Sequence, residues 1–204
     1  MLHRKTLAPD ALELLKELMQ KPYLRDFCLV GGTSLSLQIG HRISLDLDLF
    51  GSLPFETSEL KSLLEDDFNS FQVELERKNT LLATINDTKV DFIRFKYGFA
   101  YPLIVEQGIR FADIKDIAPV KLDAVSGRGR KKDFFDLYYL LQYFSLPQLL
   151  ELYQAKYNHT TIFHVIKSIN YFAEAEGEND PIVFDKKVTW EKVKKGIVKA
   201  VQKI

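Results

Sequence analysis

The sequence predicts an α/β (α+β) fold: a mixed β-sheet flanked by helices, with a helical C-terminal part packed against it. Three observations predict it. A short apolar run, Phe27-Cys28-Leu29-Val30, ends in Gly31-Gly32 and leads into a stretch with Leu35 and Ile39 four apart. Two aspartates then alternate with leucines in Leu45-Asp46-Leu47-Asp48-Leu49. From Pro119 onward the apolar spacing is helical in one segment after another.

Taken in order, Asp10 to Gln20 reads as a helix with Leu12, Leu15, Leu18 and Met19 on one face, stopped by Pro22. Phe27–Val30 is a short buried strand. Thr33–Ile39 is a helix that Gly40 ends. Ser44–Phe50 is a second strand, with Asp46 and Asp48 on one face and Leu45, Leu47 and Leu49 on the other. After the Gly51/Pro54 loop, Thr57 or Ser58 is placed to cap a helix through Leu64. Phe71–Leu75, Thr80–Ile85 and Lys89–Phe95 read as strands, with Asn86-Asp87 as a turn. Tyr97–Arg110 reads as loop, and Phe111–Ile117 as a short strand running into a helix start. Helices follow over Val120–Ser126, Lys131–Phe144, from Pro147, and over Thr160–Ala173. An acidic break spans Glu174–Pro181, and Thr189 caps a last helix with Trp190, Val193, Ile197, Val201 and Ile204 along one face. A boundary near residue 113 divides the chain into 1–112, carrying the chemistry, and 113–204, the helical part.

The 204 residues are 46% hydrophobic and 27% charged, as in an ordinary globular protein. Net charge is zero, so any attraction to nucleic acid must come from local patches. No apolar run reaches the length of a membrane span, and the Met1-Leu2-His3-Arg4-Lys5 start lacks an apolar signal core, which points to a cytoplasmic protein. The single cysteine, Cys28, excludes an intramolecular disulfide and reads as a buried thiol. His3, His159 and His164 have no ligand spacing with it, so no zinc site is expected.

The chemistry concentrates between residues 30 and 50. Residues two apart on a strand lie about 6.5–7 Å apart, close enough for two carboxylates to converge on divalent cations held about 3.5–4 Å apart. Two such carboxylates about 4 Å apart repel by roughly 4 kcal/mol at an effective dielectric of 20, which a metal ion relieves. The glycines let backbone N–H groups approach a phosphate, and a helix N-terminus beside them favours an anion. Thr33 and Ser34 add hydroxyl donors. Asp91, between Val90 and Phe92, is the natural third carboxylate.

The string Gly-Gly-Thr-Ser-Leu-Ser-Leu-Gln-Ile-Gly-His-Arg-Ile-Ser-Leu-Asp-Leu-Asp-Leu-Phe resembles the signature of the DNA polymerase beta-like nucleotidyltransferase superfamily. Within it, the chain resembles the AbiEii/AbiGii toxin branch, again at Lys121 and at Lys132-Asp133-Phe134-Phe135-Asp136-Leu137-Tyr138. The resemblance covers about residues 25–140. It implies the nucleotidyltransferase fold and a metal-dependent transfer of a nucleoside monophosphate from an NTP to an acceptor hydroxyl. The implied acceptor is an RNA, with tRNA 3′ ends the best-known class. It also implies a toxin of a toxin–antitoxin or phage-defence pair, with an antitoxin protein as a partner.

Under this resemblance Asp46, Asp48 and Asp91 hold two Mg2+ ions, and Asp91 activates the attacking hydroxyl. Gly31, Gly32, Thr33, Ser34, Arg42 and Lys121 bind the nucleotide, with Lys121 also read as a catalytic cation. Asp133 is an active-site candidate, Asp136 a lesser one. Arg42 is equally suited to binding a phosphate or holding a carboxylate, and His41 reads as a structural hydrogen-bonder.

Arg128, Arg130, Lys131 and Lys132 oppose the dipole of the helix they begin, by up to about 1 kcal/mol each when exposed. An RNA backbone or a triphosphate would compensate them; so would Asp133 and Asp136. The last 19 residues carry seven lysines against one acid, Glu191, and read as a solvated basic face with RNA contact as the other reading. Two rival functions use the same residues: a nucleotidyltransferase that modifies a protein, and a catalytically silent binding module.

Overall fold

The computed structural model describes residues 2–158 and 161–204; the expected helix start at Thr160, His159 and Met1 lie outside them. The described residues form two compact units. One comprises the residues up to Gly40 with Ser44–Asp113; the other comprises His41–Ile43 with Ile114–Ile204.

The first unit is built on a seven-stranded mixed sheet. Its strands are β1 (Phe27–Leu29), β2 (Leu47–Gly51), β3 (Phe71–Arg77), β4 (Thr80–Ile85), β5 (Thr88–Arg94), β6 (Ile104–Glu106) and β7 (Ile109–Phe111). Their spatial order is β3-β4-β5-β2-β1-β7-β6. The pairs β2–β5 and β1–β7 are parallel and the other four antiparallel. Helices α1 (Pro9–Gln20), α2 (Gly31–Ile39) and α3 (Thr57–Asp67) belong to this unit.

Alternation fixes the faces. On β2 Leu47 and Leu49 are fully buried, while Asp48 between them and Phe50 after them are half-buried. On β5 Val90 and Phe92 are buried, with Asp91 half-buried between them. These apolar positions join Leu15 and Leu18 of α1 in one core. Each such side chain, fully buried, stabilises by roughly 1.5–3 kcal/mol. Arg110 ties β7 to the α1–β1 connection, donating to the carbonyls of Phe27, Met19 and Leu24 at 2.8–3.1 Å.

Several elements differ from the sequence reading. The stretch read as loop contains the β6–β7 hairpin, whose turn residues Gln107 and Gly108 have φ of 56° and 81°. Its strands are three residues long, too short to show a period. Thr57 does not cap α3: Glu56 is the cap, and the Thr57 hydroxyl donates to the Arg77 carbonyl at 2.9 Å. Strand β2 starts at Leu47, so Asp46 precedes it, and Leu45 is 68% exposed rather than inward-facing.

The second unit is helical: α4 (Ile114–Gly127), α5 (Lys131–Leu140), α6 (Leu146–Lys156), α7 (Ile162–Ile169) and α8 (Trp190–Val201). Helix α4 begins six residues before the expected Val120 and runs through Pro119, which forgoes one backbone hydrogen bond. Helix α5 ends at Leu140, short of Phe144. Ser145 then caps α6 in a reciprocal capping box with Gln148, a cap worth about 1 kcal/mol. Thr189 caps α8 as expected, accepting from the Lys192 N–H. Trp190 packs on Phe134, Phe135 and Phe172 with ring centroids 5.7–6.0 Å apart, and its Nε1–H donates to Glu176 at 3.0 Å. Residues 41–43 lie in this unit as a strap. Arg42 pairs with Val183, the Ile43 N–H donates to the Ile182 carbonyl, and the Phe184 N–H donates to the His41 carbonyl.

Candidate active site

The acidic cluster of the sheet unit follows from register. Asp48 on β2 and Asp91 on β5 are direct partners across a parallel pair, where strands lie about 4.8 Å apart. Both side chains lie on the face opposite the leucine and phenylalanine core. Asp46 stands two residues upstream, with its carbonyl held by the Thr33 hydroxyl. That hydroxyl also bonds the Ser44 hydroxyl at 2.8 Å.

Thr33 and Ser34, expected to bond a phosphate through their hydroxyls, are turned inward, 1% and 0% exposed. Ser34 Oγ accepts from Gln38 Nε2 at 3.1 Å. Helix α2 starts at Gly31 itself rather than at Thr33, with Val30 as its cap. The Val30 N–H donates to the Asp48 carbonyl at 2.8 Å. Gly31 has φ of +65°, and a Cβ there would come within 1.8 Å of Asp48 Oδ2. The glycine is thus required both by its backbone and by the carboxylate beside it. Gly31→Ala should lose at least 1–2 kcal/mol from the left-handed φ alone. It should also displace Asp48, which thermal melting and an activity assay on the one variant would separate.

The electrostatics of this cluster suit a cation. Partial burial, then the charges of Asp48, Asp46 and Glu74, push the Asp91 carboxyl up to about 6, with Lys89 opposing. Lys89 itself is 3.1 Å from Glu74. Among the described residues no three His, Cys, Asp or Glu side chains form a ready-made metal cage. Mg2+ rarely uses one: it binds through one or two carboxylates, with water and substrate phosphates completing the shell. The repelling all-oxygen pair Asp48/Asp91, with Asp46 beside it, fits that mode.

The helical unit holds a second charged cluster, nearly all buried. Asp136, fully buried, receives Arg42 Nε at 2.6 Å, Arg42 Nη2 at 2.9 Å, His41 Nε2 at 2.7 Å and Lys121 Nζ at 2.7 Å. Lys121 also reaches Asp133 at 3.1 Å, and Arg128 Nε contacts Asp133 at 2.9 Å. Burial alone would raise Asp136, but Arg42 and Lys121 hold it well below the usual carboxylate range. Burial would likewise lower Lys121, and the two carboxylates outweigh it. Burial keeps His41 neutral, so its Nε2–H donates to Asp136, while Nδ1 has no hydrogen-bond partner among the described residues. Three cations against two carboxylates leave one net positive charge. Arg128, with its side chain 54% exposed, is the member that faces solvent.

Of the two partners open to Arg42, the carboxylate is the one found. Asp136, the lesser candidate in the sequence, is the hub of the network. The signal was its three-residue spacing from Asp133 on one helix face; its partners at 41–42 had none.

Arg128, Arg130 and Lys131 each pair with a carboxylate of the helical unit, Arg128 with Asp133, one of the two internal partners expected. Arg128 pairs with Asp133, and Arg130 with Glu178 at 3.2 Å. Lys131, expected to contact RNA, is 5% exposed. It pairs with Asp180 at 3.2 Å, donates to the Glu178 carbonyl and lies over the Trp190 ring. The acidic break at 174–181 supplies these partners. Lys132 is half-buried.

The mixed sheet with its flanking helices is a fold that solved nucleotidyltransferases share. Solved structures agree in fold. The putative nucleotidyltransferase from Helicobacter pylori matches at 17% identity and TM-score 0.59, over 98% of this chain and 92% of its own. The H. pylori protein JHP933 matches at 17% and 0.57, over 96% and 92%. The nucleotidyltransferase toxin MenT4 from Mycobacterium tuberculosis matches at 15% and 0.58, over 95% and 84%.

The family model described as "Nucleotidyl transferase AbiEii toxin, Type IV TA system" matches residues 13–115 and 99–203, and the chain belongs to that family. An uncharacterized protein from Aquifex aeolicus is 31% identical over 199 residues, 93% of each chain. Among the described residues no helix is long and apolar enough to cross a membrane.

Proposed function

We propose that the protein transfers a nucleoside monophosphate from an NTP to a hydroxyl of an RNA, with tRNA 3′ ends as the acceptor class, and does so with Mg2+. We further propose that it acts as a cytoplasmic toxin countered by an antitoxin protein. The observation that carries this reading is the register pairing of Asp48 with Asp91 beside the Gly31 start of α2.

Bound Mg2+ would be held by Asp46, Asp48 and Asp91 and would neutralise charge on the phosphates. The chain's own groups do the rest. The backbone around Gly31 and Gly32 approaches the phosphates, where a helix start favours an anion. Asp91 takes the proton from the acceptor hydroxyl, a step worth typically 10²–10⁴-fold. The new bond forms between the acceptor oxygen and the α-phosphorus. The α–β bridging bond breaks, and pyrophosphate leaves with its electron pair.

Residues 1–112 supply this chemistry in our reading. Lys121 and Asp133 enter through the family resemblance; their geometry supports a structural part as well. Lys121→Ala would leave two buried carboxylates short of a cation, at a cost of about 3–5 kcal/mol. A melting curve must therefore accompany any activity loss in that variant.

The test incubates the protein with Mg2+, total tRNA and each α-labelled NTP in turn, beside Asp46→Ala/Asp48→Ala. Label on tRNA from the native protein alone supports the reading and names the nucleotide. Label on protein assigns the chemistry to protein modification. No label anywhere, with no Mg2+-dependent NTP binding, leaves a silent binding module.

A further inference from the structure

The helical unit contains a cleft of about 880 Å³ where the end of α5 and the start of α6 face α8. One wall is aromatic. Tyr138, Tyr143 and Phe144 line it, with Tyr143 57% exposed. The other wall is basic. Lys192, Lys199 and Lys203 line it at spacings of seven and four, which places them on one stripe of α8 and its following turn. All three are exposed, and none forms an ion pair among the described residues. The acid in the lining, Asp185, already accepts from the Lys187 N–H at 2.9 Å.

The groove is built by a specific residue. Gly196 sits inside α8, where glycine is about 1 kcal/mol worse than alanine. A Cβ there would come within 2.6 Å of the Tyr138 ring, so the glycine lets that ring lie against the helix backbone.

We infer that this groove holds a single-stranded segment of RNA. Unpaired cations on one stripe match a phosphate backbone, and the exposed Tyr143 ring in the same lining matches an unstacked base. An acidic peptide would use the lysines but leave Tyr143 without a stacking partner. The inference deepens the acceptor reading above and rests on it for the RNA's identity. The groove itself is tested apart from transfer.

The experiment measures binding of a fluorescent single-stranded 12-mer RNA to the full chain, without NTP, across salt concentrations. Three lysine–phosphate contacts give a slope of log K against log salt of roughly −2. Lys199→Glu/Lys203→Glu should weaken binding at least tenfold and flatten the slope. Tyr143→Ala should weaken it about tenfold with the slope unchanged. All three side chains are exposed, so melting temperatures should stay within a few degrees of native.

Native-like binding by both variants overturns the groove. So does a poly-glutamate peptide that binds as tightly as the RNA and is indifferent to Tyr143→Ala. Labelling of tRNA separates the two claims. Normal labelling by the charge-reversed variant sinks the groove and leaves the acceptor reading. No labelling by native protein, with oligonucleotide binding still lost in the variants, sinks that reading and keeps the groove.

Discussion

Asp136→Ala should be among the most damaging single substitutions in this chain, costing about 3–5 kcal/mol. The carboxylate removed is fully buried and answers Arg42, Lys121 and the His41 N–H at 2.6–2.9 Å. Without it two cations are left buried, with Asp133 as the remaining carboxylate of the cluster. The loss also frees the 41–43 strap, which belongs to the helical unit although it lies between α2 and β2 in sequence. At roughly 2–4 °C per kcal/mol for a chain of this size, the melting temperature should fall by about 10 °C. The same carboxylate sets an acid limit. Its pKa lies well below the ordinary value of 3.8 in the fold, so its stabilisation is complete above pH 3.8. It is lost as pH falls below that, through the folded value. An acid titration of native protein should show unfolding in that range, and a midpoint above pH 5 would contradict the assignment.

Asp91→Asn should act in the opposite sense on stability while removing activity. Asp91 is raised from 3.8 to about 6 by partial burial and by Asp48, Asp46 and Glu74. A carboxyl with a raised folded pKa holds its proton longer in the fold than in the unfolded chain. Its penalty is therefore absent below about pH 3.8, grows between there and about 6, and is complete above. After discounting for its partial exposure, on the order of 1–2 kcal/mol is recovered at pH 7 by the neutral amide. His41, held neutral in the fold, gives native protein an opposite slope just below pH 6.5, where the unfolded chain takes up a proton first. The difference between native and variant melting curves cancels that term. The gap should shrink from pH 7 to pH 5, and Mg2+ should narrow it by stabilising the native protein alone. Transfer by the variant should drop 10²–10⁴-fold, as for loss of a general base. A variant that melts lower than native at pH 7 in the absence of Mg2+ would contradict this account of the site.

Much of the fold was readable because it rests on period. The β5 alternation, the α1 stripe and the capped start of α8 are local patterns, and they fall where the spacing places them; the β2 alternation holds only from Leu47 onward. The family string from Gly31 to Phe50 brought Asp46 and Asp48 into view together, and the Val90-Asp91-Phe92 alternation added the third carboxylate. What was not readable depends on distant partners. Asp46 precedes β2 because its carbonyl is held by Thr33, thirteen residues earlier. The β6–β7 hairpin is too short to show a period, and α4 continues across a proline that sequence rules treat as a start. The partners of Arg130 and Lys131 could not be read because Glu178 and Asp180 lie nearly fifty residues downstream. Asp136 could be ranked only by its spacing from Asp133, since its partners at 41 and 42 are over ninety residues away.

In the proposed reaction the α-phosphorus is the atom attacked. One reaction follows two labels: native protein, Mg2+ and tRNA are incubated with an NTP labelled either at the α- or at the γ-phosphate. The account predicts that α-label moves to the RNA and γ-label appears in pyrophosphate in equal amount, with neither event in Asp46→Ala/Asp48→Ala. Transfer of γ-label to the acceptor, or pyrophosphate release that persists in the double variant, would contradict it.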